Sequence, residues 1–216
     1  MNTTRRSLLL AAILISGVVT TLPGCAPLTI QNASGSMPVD VDPGVRGPVA
    51  GVGIEGHDIV SMTDRMVRDM LATPALATKE KAPRVIVDAE NFENAGSQPI
   101  NRNAITDRLR VELTRSSHGR MTFVGRNYAR AVQSERDLKR SGVVDVGTAG
   151  MTKAQAGADY RLGGRISTVD SRSAKTGMIQ RYTQIVFEMF DLETSEIVWN
   201  NMYELSRAGA DDVVYR

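Results

Sequence analysis

Three runs in the last third of the chain alternate in polarity residue by residue. Tyr160, Leu162, Gly164 and Ile166 stand between Arg161, Gly163, Arg165 and Ser167. Thr183, Ile185, Phe187 and Met189 stand between Tyr182, Gln184, Val186 and Glu188, and Ile197, Trp199 and Tyr203 continue the theme past a turn at 193–196. A period of two sends successive side chains to opposite faces of a strand, so these runs predict an antiparallel meander with one buried face.

Upstream the period lengthens. From Asp58, placed to cap a helix, Ile59, Val60, Thr63, Met66, Val67, Met70 and Leu71 recur at three- and four-residue spacing, with Asp64, Arg65, Arg68 and Asp69 on the other side. Thr73-Pro74 ends the stripe, because a residue before proline resists helical backbone angles. The methionines read as core, since their spacing is that of a buried stripe rather than of a groove.

Arg84 to Asp88 is a β-branched run flanked by Pro83 and the polar stretch 91–99, and it predicts a central strand. A second helix starts at Asn101 with Ile105, Leu109 and Leu113 inward; Met121 to Val124 predicts a second strand. A third helix over 127–140 has only Ala131, Val132 and Leu138 to bury and should lie exposed. A further helical turn or two is expected over 148–156, with Gly157 at its C-cap. The predicted class is therefore α+β, a mixed sheet ending in an antiparallel three-stranded meander with helices packed on it.

Neither period survives over residues 26–56. That stretch holds Pro27, Pro38, Pro43 and Pro48 and six glycines, and it cannot bury enough apolar side chain to offset the entropy of ordering it. It reads as a flexible tether. Its extended ceiling is about 100 Å, while a coil of that length averages about 30 Å. The alternative is that 49–54 pairs onto a sheet edge.

Before the tether, Arg5 and Arg6 precede an apolar run from Leu8 to Val19 and the tetrad Leu22-Pro23-Gly24-Cys25. A basic start, a short apolar stretch and a small-residue cleavage site predict a secretory signal peptide. A cysteine just after the cut predicts a lipoprotein, with Cys25 as the lipidated residue. The expected organisation is a signal peptide over 1–24, a lipid-anchored tether over 25–56 and a globular domain over 57–216.

Composition narrows the partners. The chain has 26 basic and 24 acidic residues, and residues 1–24 carry two of the arginines and no acid, so the mature chain is formally neutral. That gives no basis for nucleic-acid binding. Cys25 is the sole cysteine, so once it is acylated no disulfide is available.

Catalytic chemistry is not evident. Ser116, Ser117 and His118 cluster at a helix end beside Gly119, where such residues cap or turn, and no Gly-x-Ser-x-Gly surrounds a serine. Two separated histidines, His57 and His118, cannot build the usual metal sets, and no metal or cofactor is expected. Gly163-Gly164 lacks a phosphate-loop lysine pattern. Asp88 and Glu90 read as solvated charges at a strand end rather than an acid–base pair. The chain reads as a non-enzyme.

The segment from Arg84 to Gly125 runs Val-Ile-Val-Asp-Ala-Glu-Asn-Phe, then Ile-Asn-Arg-Asn-Ala-Ile-Thr-Asp-Arg-Leu-Arg-Val-Glu-Leu, then Met-Thr-Phe-Val-Gly. Later come Ala-Asp-Tyr-Arg-Leu-Gly-Gly-Arg-Ile and Phe-Asp-Leu-Glu-Thr-Ser-Glu-Ile-Val-Trp. In their order, over about residues 59–206, these resemble the LpoB family, outer-membrane lipoproteins that stimulate a bifunctional class A penicillin-binding protein. Ser195 stands where such hairpins usually have glycine, and the tether is shorter than in the enteric members. The resemblance implies an activator without catalytic residues that touches a periplasmic peptidoglycan synthase and is expected to be a monomer. By the same lipoprotein rules, Ala26 after Cys25 implies sorting to the outer membrane, facing the periplasm. The alternative is a CsgG-like lipoprotein subunit of a secretion or assembly complex. The expected partner-binding residues are Arg165, Arg172, Arg181, Tyr182 and Gln184, placed together on the meander's outer face, because Arg and Tyr are enriched at binding hot spots. The charged third helix, with Arg130, Arg136 and Lys139, is the competing surface.

Overall fold

A computed structural model describes residues 34–35, 37–77, 81–145, 147–148 and 153–215. The chain divides after Ser36, and the unit Met37–Arg216 is the one described below. Cys25, the signal peptide and the first part of the tether lie outside the described residues.

Five strands form one mixed sheet in the order β2-β1-β3-β4-β5. They are β1 (Arg84–Asn94), β2 (Thr122–Phe123), β3 (Tyr160–Arg172), β4 (Ile179–Asp191) and β5 (Ile197–Gly209). β1 runs parallel to both of its neighbours, and β3, β4 and β5 are the antiparallel meander that period-two alternation predicts. Helices α1 (Gly56–Ala72) and α3 (Arg102–Ser116) pack on the sheet, and α2 (Pro74–Ala77) is a single turn after α1.

The core between helices and sheet is continuous. Met62, Met66 and Met70 of α1 and Ile105, Leu109 and Leu113 of α3 are fully buried against Leu162, Ile166, Ile185, Phe187 and Met189. Two polar bonds fix the helices on this apolar bed. The Trp199 indole N–H donates to Asp69 Oδ2 at 2.7 Å, tying β5 to α1, and Arg108 Nε donates to Thr63 Oγ1 at 2.8 Å, tying α3 to α1.

Several expectations change. α1 begins two residues before Asp58, with Glu55 as N-cap; Asp58 sits in the first turn and accepts the Glu55 backbone N–H at 2.8 Å. Asp58 is thus the reaching-back member of a capping box rather than the cap itself. Asn101 is the N-cap of α3, as expected, and accepts from the Asn103 N–H. β1 continues to Asn94, well past Asp88 and into the stretch read as polar flank. Helix α4 (Ala129–Ser141) follows a 3₁₀ turn at Arg126–Tyr128 and buries no residue; Val132 and Leu138 each remain 44% exposed.

No helix forms over the described part of 148–156: residues 147–148 are a turn and 153–157 carry no regular structure. That segment has good helix formers but no apolar stripe to bury, and an isolated helix of under about 12 residues is marginal in water.

β1 reaches its length through an irregularity. Val87 pairs with Leu162 and Phe92 with Gly164, so β1 carries three more residues than β3 between those two pairings. The bulge drops Phe92 onto Phe187, with ring centroids 5.4 Å apart and planes tilted by 53°. A side chain at 164 would occupy the same space. A Cβ there would lie 2.4 Å from the Phe92 ring and 2.6 Å from the Val186 carbonyl oxygen, so only glycine fits.

Candidate docking face on the sheet

The helices cover one face of the meander and leave the other to solvent. Strand parity decides which side chains stand there. Residues 165, 167 and 169 of β3 pair with 186, 184 and 182 of β4, and those pair with 202, 204 and 206 of β5. Arg165, Tyr182 and Gln184 therefore share the bare face, with Val186, Met202 and Glu204 between them. The Tyr182 hydroxyl donates to Glu204 across the strands, and that bond raises the Tyr182 pKa above its ordinary value. Arg165 Nε pairs with Glu93 Oε2 at 3.0 Å, with both side chains largely exposed.

Between this face and the β1 bulge runs an open groove of about 820 Å³. Gly163, Val186 and Phe190 contribute its apolar surface, while Glu90, Glu93, Glu188, Arg102 and Arg165 supply charges of both signs. Arg102 donates to the Phe92 carbonyl oxygen, holding the start of α3 against the bulge. Of the groove's lining, Glu90 and Gly163 drew notice in the sequence only for catalysis and phosphate binding, and period two placed Val186 and Glu188 on that side.

Two of the five residues expected on the bare face are elsewhere. Arg181 has the parity of Thr183 and Ile185 and is 6% exposed. Its Nε and Nη2 donate to Asp170 Oδ1 and Oδ2 at 2.8 and 2.7 Å. A buried guanidinium needs this two-pronged partner, because burying a charge without one is costly. The hydrogen bond from Arg181 holds the Asp170 carboxyl below the usual carboxylate value. Arg172 shares the parity of Asp170, on that same side of the sheet, at the exposed hairpin end. The five do not form one patch; Arg165, Tyr182 and Gln184 do.

The groups weighed for catalysis are also placed. Asp88 and Glu90 are mid-strand and both bind Arg161 Nη2, the Asp88 contact at 3.0 Å. Burial works against the Arg161 charge, yet hydrogen bonds and charges from the two carboxylates outweigh it and raise the Arg161 pKa. They form an ion cluster, not free strand-end acids. Ser117 is buried as the C-cap of α3, and His118 sits beside it in an exposed turn at φ 47°. Gly163 and Gly164 are mid-strand and serve close packing.

Among the described residues, Glu55, His57 and Asp58 are grouped closely enough to suggest metal ligands. A cation already sits among them. Arg207 Nη2 lies 2.7 Å from Asp58 Oδ1 and 3.2 Å from His57 Nε2.

The sequence family described as "Peptidoglycan-synthase activator LpoB" matches residues 58–205, well over half of the chain. The chain belongs to the LpoB family. Among solved structures, this LpoB-family chain is similar to the LpoB C-terminal domain from Salmonella enterica at 20% identity and a TM-score of 0.39. That match covers 68% of this chain and 98% of the other. It is also similar to lipoprotein GNA1162 from Neisseria meningitidis at 12% identity and a TM-score of 0.29, covering 59% of this chain and 83% of the other. No curated protein matches it. LpoB membership sets peptidoglycan-synthase activation as the general function.

Proposed function

We propose that this chain is an outer-membrane lipoprotein, anchored through acylated Cys25, whose domain binds and stimulates a periplasmic class A penicillin-binding protein. The observation that carries the contact surface is the one-sided packing of the sheet. The β3–β4–β5 meander, with α1 and α3 on one face, leaves a rigid, solvent-facing surface on the other, and ordered elements lose little entropy on binding. On that surface Arg165, Tyr182 and Gln184 stand together beside an open groove. The domain contributes binding energy to the synthase and no reacting group of its own.

The reading is tested by affinity for the purified synthase. Tyr182→Ala combined with Arg165→Glu should weaken binding at least tenfold and leave the melting temperature within a few degrees. An unchanged affinity, with Arg136→Glu on α4 weakening it instead, would move the contact to the helix. Release of no synthase at all from membranes with the tagged chain would end the partner assignment.

A further inference from the structure

The tether's last residues are not loose. Val52 is 1% and Ile54 5% exposed, and no strand pairing holds them. Their backbone groups are met by side chains from three distant places. The Gly53 N–H donates to Tyr215 Oη at 3.0 Å, and Arg207 Nη1 donates to the Gly53 carbonyl oxygen at 2.6 Å. Gln98, itself 7% exposed, takes the Ile54 N–H on Oε1 at 2.7 Å and gives its own N–H to the Ile54 carbonyl at 2.9 Å. In this way one side chain does the work of a neighbouring strand. One residue further back, the Gly51 N–H donates to Glu55 Oε1 at 2.6 Å.

The fit is close enough to dictate composition. A Cβ on Gly51 would lie 2.5 Å from Tyr215 Oη and 2.9 Å from Val213 Cβ. One on Gly53 would lie 2.3 Å from Gln98 Oε1 and 2.8 Å from the Tyr215 ring. Two glycines that look like linker punctuation are sites of close approach.

We propose that residues 51–55 and the C-terminal strap at 213–215 form a latch that holds the tether's root on the domain, with Gln98 and Arg207 as its fixed jaws. Closed, the latch delivers any pull from the N-terminal side at Gly51, beside α1, and ends the free tether there. Open, it releases five residues, about 16 Å of extra extended reach at roughly 3.3 Å per residue. Residues 211–215 carry no regular structure, whereas Arg207 belongs to β5 and the loop carrying Gln98 is tied to β1 through Asn94 Nδ2, which donates to the Gln98 carbonyl oxygen at 2.8 Å, so opening begins at the strap. The importance of reach rests on the tethered-activator reading above; the latch itself does not, and its test needs no synthase.

The experiment is hydrogen exchange read by mass spectrometry on the full mature chain in detergent. Tyr215→Phe removes the hydroxyl and keeps the ring; Gly53→Ala drives a methyl group into Gln98. Both variants should speed exchange of the amides at 51–55 at least tenfold while those of β3, β4 and β5 keep their native rates. Two results overturn the latch: 51–55 exchanging as fast in the native chain as in the variants, or both variants loosening the whole sheet together. A Tyr215→Phe chain that keeps native rates at 51–55 also overturns it, since the strap would then hold nothing.

Discussion

Replacing Asp170 by asparagine strips the charge from the partner of a buried guanidinium and changes the side chain's shape very little. Arg181 keeps its place, with 8% of its side chain exposed, but loses two charge-assisted bonds of 2.8 and 2.7 Å. Asparagine offers one acceptor oxygen and turns an N–H toward the other guanidinium nitrogen. Breaking a fully buried pair from one side costs about 3–5 kcal/mol. The Asp170 side chain is 35% exposed, so water can reach that end of the pair, and the expected loss falls to about 2–3 kcal/mol. With a urea slope near 2 kcal/mol per molar, the unfolding midpoint should drop by about 1–1.5 M. Arg181→Met should cost less, because it leaves a carboxylate that water can hydrate. The double variant should cost less than the two singles added.

The pH dependence follows from the sign of the shift. The Asp170 carboxyl is held low in the folded state by Arg181, so its contribution is present above the ordinary carboxylate value of about 3.9 and fades as pH falls through the folded value. The gap between the native chain and Asp170→Asn should therefore narrow only below about pH 4. A loss under 0.5 kcal/mol at pH 7, on the order of a neutral surface change, would refute this account of Arg181. The same reasoning bears on docking. If the proposed docking face is right, charge reversal at Arg181 would reduce synthase binding through the fold, whereas changes at Arg165, Tyr182 or Gln184 would test the proposed contact directly.

Gly164→Ala should destabilise the domain by about 2–3 kcal/mol in chemical denaturation, because its methyl group meets the Phe92 ring and the Val186 carbonyl, neither of which can retreat in a packed sheet. A variant as stable as the native chain would mean that the β1 bulge yields. Ser195 adopts φ 64° in the β4–β5 turn, a left-handed conformation costing a non-glycine residue about 1–2 kcal/mol. Ser195→Gly relieves it against an entropic cost of about 0.5–1 kcal/mol, so thermal melting should rise by a few degrees, and a fall would refute the strain. Cys25→Ala should release the protein from membranes, because stable anchoring needs acyl chains; a product still sedimenting with the outer membrane would exclude the lipoprotein reading.

Local pattern determined much of this molecule. Period two marked β3, β4 and β5, the three- and four-residue spacing marked α1 and α3, and Asn101 announced the start of α3. These signals need only residues within a turn or a few strand positions of one another, and burial of one face enforces them. Parity sets Arg181 with Thr183 and Ile185, yet the expectation placed it on the outer face with Tyr182 and Gln184, because Arg is a side chain enriched at binding hot spots. What the sequence could not state was who would neutralise that charge, since Asp170 becomes its partner only when β3 and β4 come into register. The same limit hid the bulge that makes Gly164 obligatory, because Phe92 and Val186 meet it from two other strands. It hid the tether's root as well. Residues 51–55 have no apolar period and read as coil, yet Gln98, Arg207 and Tyr215 supply the hydrogen bonds their backbone lacks. Side chains 44 to 162 positions away can do this only after the chain has folded, which is why composition alone assigned that stretch to the tether.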